Sequence, residues 1–173
     1  GEVEFVATVH QGDVFVSVGS DHNDRSLEEL STSMLGKVWD TAKSKQMVPA
    51  VVAREAWPYA DVQAHWDDIV LKSYVTASRQ RVPYQEFRLG DLCDLEHYLG
   101  RCSWLREDGS ILLGGSGSIL PSVPQHVYQG QSSLQDVTFP RDFHFEMFDP
   151  VLVRTIAHSY TVLSLEAPGS LSL

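Results

Sequence analysis

Two short runs near the start restrict the fold of this chain more than any other feature. "VEFVATV" (residues 3–9) and "VFVSV" (14–18) are rich in β-branched residues and are separated only by "HQGD". Side chains along a strand alternate between its faces, and β-branched residues suit that pleated surface. Two such runs joined by a short connection holding a glycine form a hairpin, with Gly12-Asp13 as the expected turn. A chain that opens this way commits to an antiparallel sheet with one face to bury.

The rest of the chain continues the theme. "LKSYVTAS" (71–78) and "DFHFEMF" (142–148) read as strands, the second with clean alternation. Asp149-Pro150 turns it into "VLVRTIAHSYTVLSL". "SWLRE" and "ILLGG" around Asp108-Gly109 are expected to pair as another hairpin. Three helical patterns interrupt the strands. Ser26 to Glu29 fits a capping box, with Leu27, Leu30 and Met34 on one face and Gly36 near the end. "WPYADVQAHWDDIVL" places Pro58 in a first turn and Val62, Trp66 and Ile69 in an apolar stripe. "GDLCDLEHYLG" aligns Leu92, Leu95 and Leu99, with Gly100 as the stop. The expected fold is mostly β with short α-helices, in a single domain.

A length of 173 residues suffices for one domain with its own core. The net charge of −10 argues against a nucleic-acid partner, which needs clustered Lys and Arg, and is compatible with a cation-requiring site. No apolar run approaches the roughly 18 residues of a membrane span, and no signal peptide opens the chain. Cys93 and Cys102 lack CxxC spacing and fit free thiols, as in a cytoplasmic protein. The start, "GEVEF", begins in the middle of a pattern, so residues are expected to precede Gly1. P-loop, H-E-x-x-H and G-x-S-x-G templates are absent; "GGSGS" fails the last because it ends in Ser118.

The chemistry gathers at the ends of the first two strands. Glu2 and Glu4, two apart, share a strand face. Asp21, in "VGSDHNDRSLEE", ends the neighbouring strand and can reach the same point. Three converging carboxylates suit a hard divalent cation, Mg²⁺ or else Mn²⁺ or Ca²⁺. Taken alone, the same pattern also fits a polar strand face wetted by solvent.

The order of these pieces resembles the fumarylacetoacetate hydrolase superfamily: Glu-x-Glu, then Asp-x-x-x-Arg, then Lys-Ser, then Gly-Ser after a strand. The resemblance implies a mixed β-sandwich roll over residues 1–166, with 167–173 a frayed tail. It implies Glu2, Glu4 and Asp21 as metal ligands, and Arg25 and Lys43 as catalytic cations. It further implies that Gln85, Gly115 and Ser116 border the substrate. The likeness is nearer to an uncharacterised branch carrying "GSDHTDR", "SKQ", "HWD" and "DP…R.I.H.Y". Those motifs match residues 19–25, 44–46, 65–67 and 149–160, with Asn23 in place of Thr.

Members of the superfamily cleave, decarboxylate or isomerise 1,3-dicarbonyl and 2-oxo acid substrates through a metal-stabilised enolate, and are commonly homodimers. The resemblance thus implies a metal-dependent hydrolase or lyase acting on a small oxo-acid or dicarbonyl. The chain departs from the pattern in three ways. Glu28 stands where the family has Gln, the spacing from Glu2 to Asp21 is short, and the family's catalytic His-Glu pair has no counterpart. Glu28 and His22 are the candidate bases. Plainer readings exist for each residue: Arg25 paired with Asp21 or Asp24, Lys43 a surface lysine, Glu28 solvated, Gly115 relieving crowding. Two alternatives follow, a metal-independent isomerase or cyclase on the same scaffold and a non-catalytic binding protein.

Overall fold

A computed structural model of the chain describes residues 1–22, 50–77, 79–92, 94–115, 118–123 and 142–162. The expected helix from Ser26, most of the Ser-, Pro- and Gln-rich residues 116–136, Cys93 and residues 163–173, the expected tail among them, lie outside the described residues. So do Arg25, Glu28, Lys43 and Ser116.

The opening hairpin is β1 (Glu2–His10) and β2 (Asp13–Asp21), longer at both ends than the β-branched runs. His10 pairs with Asp13, so the turn residues are Gln11 and Gly12, one position earlier than expected. Both have positive φ, 53° and 85°, as the hairpin turn that matches strand twist requires. The Gln11 N–H donates to Asp108 Oδ1 at 2.6 Å, which holds the non-glycine residue there.

Two antiparallel sheets contain every described strand. In the first, β3 (Val51–Val52) and β4 (Trp57–Pro58) both pair with β2, β2 with β1, and β1 with β7 (Ile111–Gly114). The second runs β6 (Gln80–Arg88), β5 (Val70–Ala77), β8 (Asp142–Asp149), β9 (Arg154–Thr161). The core lies between them. Val3, Phe5, Ala7, Val16 and Val18 from the first sheet meet Leu71, Phe145, Met147 and Ile156 from the second. Trp66 closes one end, edge-on to Phe5 and to Tyr59 at centroid distances of 5.3 and 5.4 Å.

The two sheets make the domain mostly β, and the helices among the described residues are short. Three local expectations are corrected. The helix over 57–69 is broken into Tyr59–Val62 and a 3-10 segment, Gln63–Asp68, with a kink at His65 (φ −136°, ψ 29°). Its expected stripe of Val62, Trp66 and Ile69 is buried all the same. Gly100 does not stop the third helix, which runs Leu95–Arg101 and is capped by the Asp94 carboxylate accepting from the Glu96 N–H. The hairpin around Asp108-Gly109 does not form. Ser103–Arg106 is a 3-10 turn, and β7 pairs with β1 instead. Gly114 is what permits that pairing, since a Cβ there would run into the Phe5 ring.

One irregularity in the second sheet matters to the first. Ser73 faces Gln85 but Tyr74 faces Pro83, so Tyr84 is an extra residue, a β-bulge. It leaves Tyr84 and Gln85 both buried. Gln85, 1% exposed, extends its Oε1 toward β1 and accepts from the Val3 N–H and the Ser73 hydroxyl, both at 3.0 Å. Because β7 reaches only to Phe5, this amide supplies the acceptor that a strand would otherwise provide at Val3.

Candidate metal centre

Val3, Phe5 and Ser20 face the sandwich interior, so Glu2, Glu4 and Asp21 lie on the opposite face of the first sheet. Glu2 is the cross-strand partner of Asp21, and Glu4 the partner of Gly19. The register therefore stacks two carboxylates directly opposite and a third two residues along. One ligand oxygen from each lies within 4.8 Å of the other two. Glu2 and Glu4 are only 7% and 9% exposed, so the cluster is recessed rather than dispersed over the surface. Gly19 leaves the space beside Glu4; a Cβ there would meet the Val6 side chain at 2.8 Å.

The donor set is all oxygen and borne on two paired strands. That suits a hard divalent cation of the Mg²⁺, Mn²⁺ or Ca²⁺ class and does not suit a soft one. The residues present thus fit the ion that the sequence resemblance implies.

His22, one residue beyond Asp21, turns back to the interior side of the strand end. Its Nδ1 lies 2.9 Å from the Tyr160 hydroxyl, which lies 3.0 Å from Ser20 Oγ. The His22 ring stands edge-on to Phe143 at 4.9 Å, and Phe143 stacks on Tyr160 at 5.3 Å. Burial lowers the His22 imidazole to about 4 and raises the Tyr160 phenol to about 12. Both are neutral at physiological pH, and they share a hydrogen bond. Tyr160 and Ser20 were not expected from the sequence as site residues. The signal for Tyr160 was its place at the end of the "DP…R.I.H.Y" spacing.

Of the expected substrate-bordering residues, Gln85 has its Oε1 engaged within the protein as described. Gly115 follows β7 with φ 76°, and a Cβ there would collide with the Leu92 side chain. Both the backbone and the packing therefore require glycine at that position.

The "HWD" and "DP" motifs meet elsewhere. Asp149, 0% exposed, accepts from His65 Nε2 at 3.1 Å, from the N–H groups of Val151 and Leu152, and from Arg154 Nε. This buried carboxylate fastens the β8–β9 turn to the broken helix, while Trp66 fills the core. It is an architectural joint on a different part of the sandwich from Glu2 and Asp21. Among the described residues, no helix is long and apolar enough to cross a membrane.

No curated protein and no solved structure matches the chain. A family model described as "Protein of unknown function (DUF2848)" matches residues 1–160, almost the whole chain. The protein therefore belongs to the DUF2848 family.

Proposed function

We propose that this protein is a divalent-metal-dependent hydrolase or lyase of the cytoplasm. Its substrates would be 1,3-dicarbonyl or 2-oxo acids, acted on at C–C bonds or as enol tautomers. The observation that supports the reading is the convergence of Glu2, Glu4 and Asp21 oxygens within 4.8 Å, recessed at paired strand ends. These three residues would hold the cation, Mg²⁺ before Mn²⁺ or Ca²⁺. When bound, it would polarise a substrate carbonyl and offset the negative charge that develops there.

The chain's own residues supply the rest. A hydrogen-bonded strand pair fixes the carboxylates before any ligand arrives, which lowers the reorganisation needed on binding. His22, hydrogen-bonded to Tyr160 one residue beyond Asp21, would be the base nearest the strand end. On the strength of the sequence resemblance Arg25 and Lys43 would contribute fixed positive charge and Ser116 a substrate contact, and Glu28, where the family has Gln, would be a second base. A homodimer is the expected assembly.

Thermal unfolding in metal tests this directly. Millimolar Mg²⁺ or Mn²⁺ is expected to raise Tm in the native chain and to leave Asp21→Asn unchanged. Oxaloacetate-like and acylpyruvate-like compounds are expected to turn over, with loss of activity in EDTA. Turnover that survives EDTA but is lost in Lys43→Ala would point to the metal-independent isomerase or cyclase. Absence of any metal-induced shift in the native chain would overturn the proposal.

A further inference from the structure

The outer face of the second sheet carries a polar constellation unconnected with the carboxylates at Glu2 and Asp21. Tyr74, His144 and Ser159 are consecutive partners across β5, β8 and β9. Glu146 lies two residues along β8 from His144 and so shares its face. Leu71, Phe143, Phe145 and Ile156, on alternate positions, face the core. This face and the Glu2 face are thus the two opposite outsides of the sandwich, with both sheets between them.

The side chains are linked in series. His144 Nδ1 lies 2.7 Å from Ser159 Oγ, and its Nε2 lies 3.5 Å from Glu146 Oε2. The other oxygen of Glu146 accepts from the Tyr74 hydroxyl at 3.1 Å. A cavity of about 530 Å³ opens over Tyr74, His144 and Ser159, with Arg81 and Thr161 on its margin. The Arg81 guanidinium sits over the Tyr74 ring, 4.1 Å from its centre, and no carboxylate among the described residues pairs with it. Asp142, also on the margin, accepts from the Thr161 hydroxyl.

The arrangement has the logic of an activated hydroxyl. A carboxylate at Nε2 favours the proton there, which leaves the Nδ1 lone pair directed at the serine O–H. The base is in reach of the nucleophile, and a third group orients the base. Burial, reinforced by the charge of Arg81, holds the His144 imidazole below its ordinary value, so it is neutral at physiological pH. The titratable or charged groups on this face around it are Arg81 from β6, Tyr74 from β5, and Asp142 and Glu146 from β8; His158 of β9 acts on it from the other side of the sheet.

We propose that this cavity is a second reactive site, where Ser159 is the nucleophile toward small carboxylic esters and His144 its general base. Ser159 Oγ bonds to the ester carbonyl carbon as its proton passes to His144 Nδ1. The bond from that carbon to the alcohol oxygen breaks, and His144 returns the proton to the departing alcohol. Water, deprotonated by the same nitrogen, then attacks the acyl group. The bond to Ser159 breaks, the carboxylic acid leaves, and the proton returns to Oγ. No oxidant, reductant or metal takes part. Glu146 is a positioning residue, and Arg81 favours esters that carry a carboxylate.

A fluorophosphonate probe with peptide mapping by mass spectrometry tests the site on the full chain. The phosphonyl group is expected on Ser159, in EDTA as in buffer, and absent from that peptide in His144→Ala. Ser159 is exposed, so Ser159→Ala should fold normally and lose the burst of p-nitrophenolate that p-nitrophenyl acetate gives in the native chain. Glu146→Gln is expected to slow acylation roughly tenfold or more and to move the lower limb of the pH–rate profile to lower pH, which a merely structural role would not do. A native chain that carries no label on Ser159, or equal labelling with His144 removed, overturns the proposal.

Discussion

Asp149 at the end of β8 and Arg154 at the start of β9 are cross-strand partners, and Arg154 Nε lies 3.2 Å from Asp149 Oδ2. Burial alone would raise the Asp149 carboxyl. Hydrogen bonds from the Leu152 N–H, His65, the Val151 N–H and Arg154 outweigh it and hold the group below its ordinary 3.8. The stabilisation is therefore present above pH 3.8 and is lost as the pH falls through the lowered folded-state value.

Asp149→Asn should cost about 3 kcal/mol at neutral pH, because the guanidinium and two turn N–H groups lose their ionic acceptor. For a chain of this size that lowers Tm by roughly 6–12 °C. The gap between native chain and variant should stay constant above pH about 4 and narrow below it. Scanning calorimetry from pH 7 to pH 2 checks this; a gap that persists unchanged at pH 2 refutes the assignment.

Gln85→Leu removes the acceptor shared by the Val3 N–H and the Ser73 hydroxyl. Two buried donors without a partner should cost about 2–4 kcal/mol in urea unfolding. Val3 stands between Glu2 and Glu4, so the metal-induced rise in Tm should also shrink. A variant that loses stability but keeps the full metal response would show that the Val3 anchor does not position the carboxylates.

Gly115→Ala and Gly109→Ala separate two kinds of glycine. Both have positive φ, 76° and 81°. Only Gly115 would also put its new methyl into a neighbour, Leu92, whereas Gly109 has open space around it. The backbone term of about 1–2 kcal/mol applies to both. Overpacking adds about 1–3 kcal/mol at Gly115 alone. Equal losses in chemical denaturation would mean that Leu92 moves aside freely.

Removing one carboxylate at a time should weaken metal binding in step with the lost charge. At a concentration 100 times Kd, binding contributes about 2.7 kcal/mol, which corresponds to a rise of roughly 5–10 °C. Glu2→Gln and Asp21→Asn, as direct cross-strand partners, should lose comparable affinity in an Mn²⁺ titration followed by electron paramagnetic resonance. A loss confined to one of them would show that the partners do not share an ion.

What could be read from the residues followed strand parity. Glu2 and Glu4 share a face because they are two apart, and Asp21 joins them once the hairpin register is right. The alternation in "DFHFEMF" likewise fixed which residues of β8 are buried. Long-range bonds were not legible. His65 breaks the helix over 57–69 within reach of Asp149, 84 positions away. The Asp-Gly signal at 108–109 does mark a turn, but the partner of β7 is chosen by Gly114 fitting against Phe5, which no local pattern reveals. The Ser159–His144 contact has the same origin. His144 and Glu146 are visibly on one face of β8, but Ser159 joins them only through the pairing with β9.

The bulge at Tyr84 sets a rule about length rather than composition. Everything in β6 before Tyr84 keeps its sidedness because the bulge absorbs that single supernumerary residue. Drawn into a regular ladder with Tyr84 kept, β6 would set Tyr84 opposite Tyr74, Val82 opposite Thr76 and Arg81 opposite Ala77, which turns Arg81 inward and Val82 outward while Gln85 stays opposite Ser73. Relatives of this chain should therefore accept many side chains along β6 and a one-residue deletion at Tyr84 alone, so other gaps in an alignment should avoid residues 80–88.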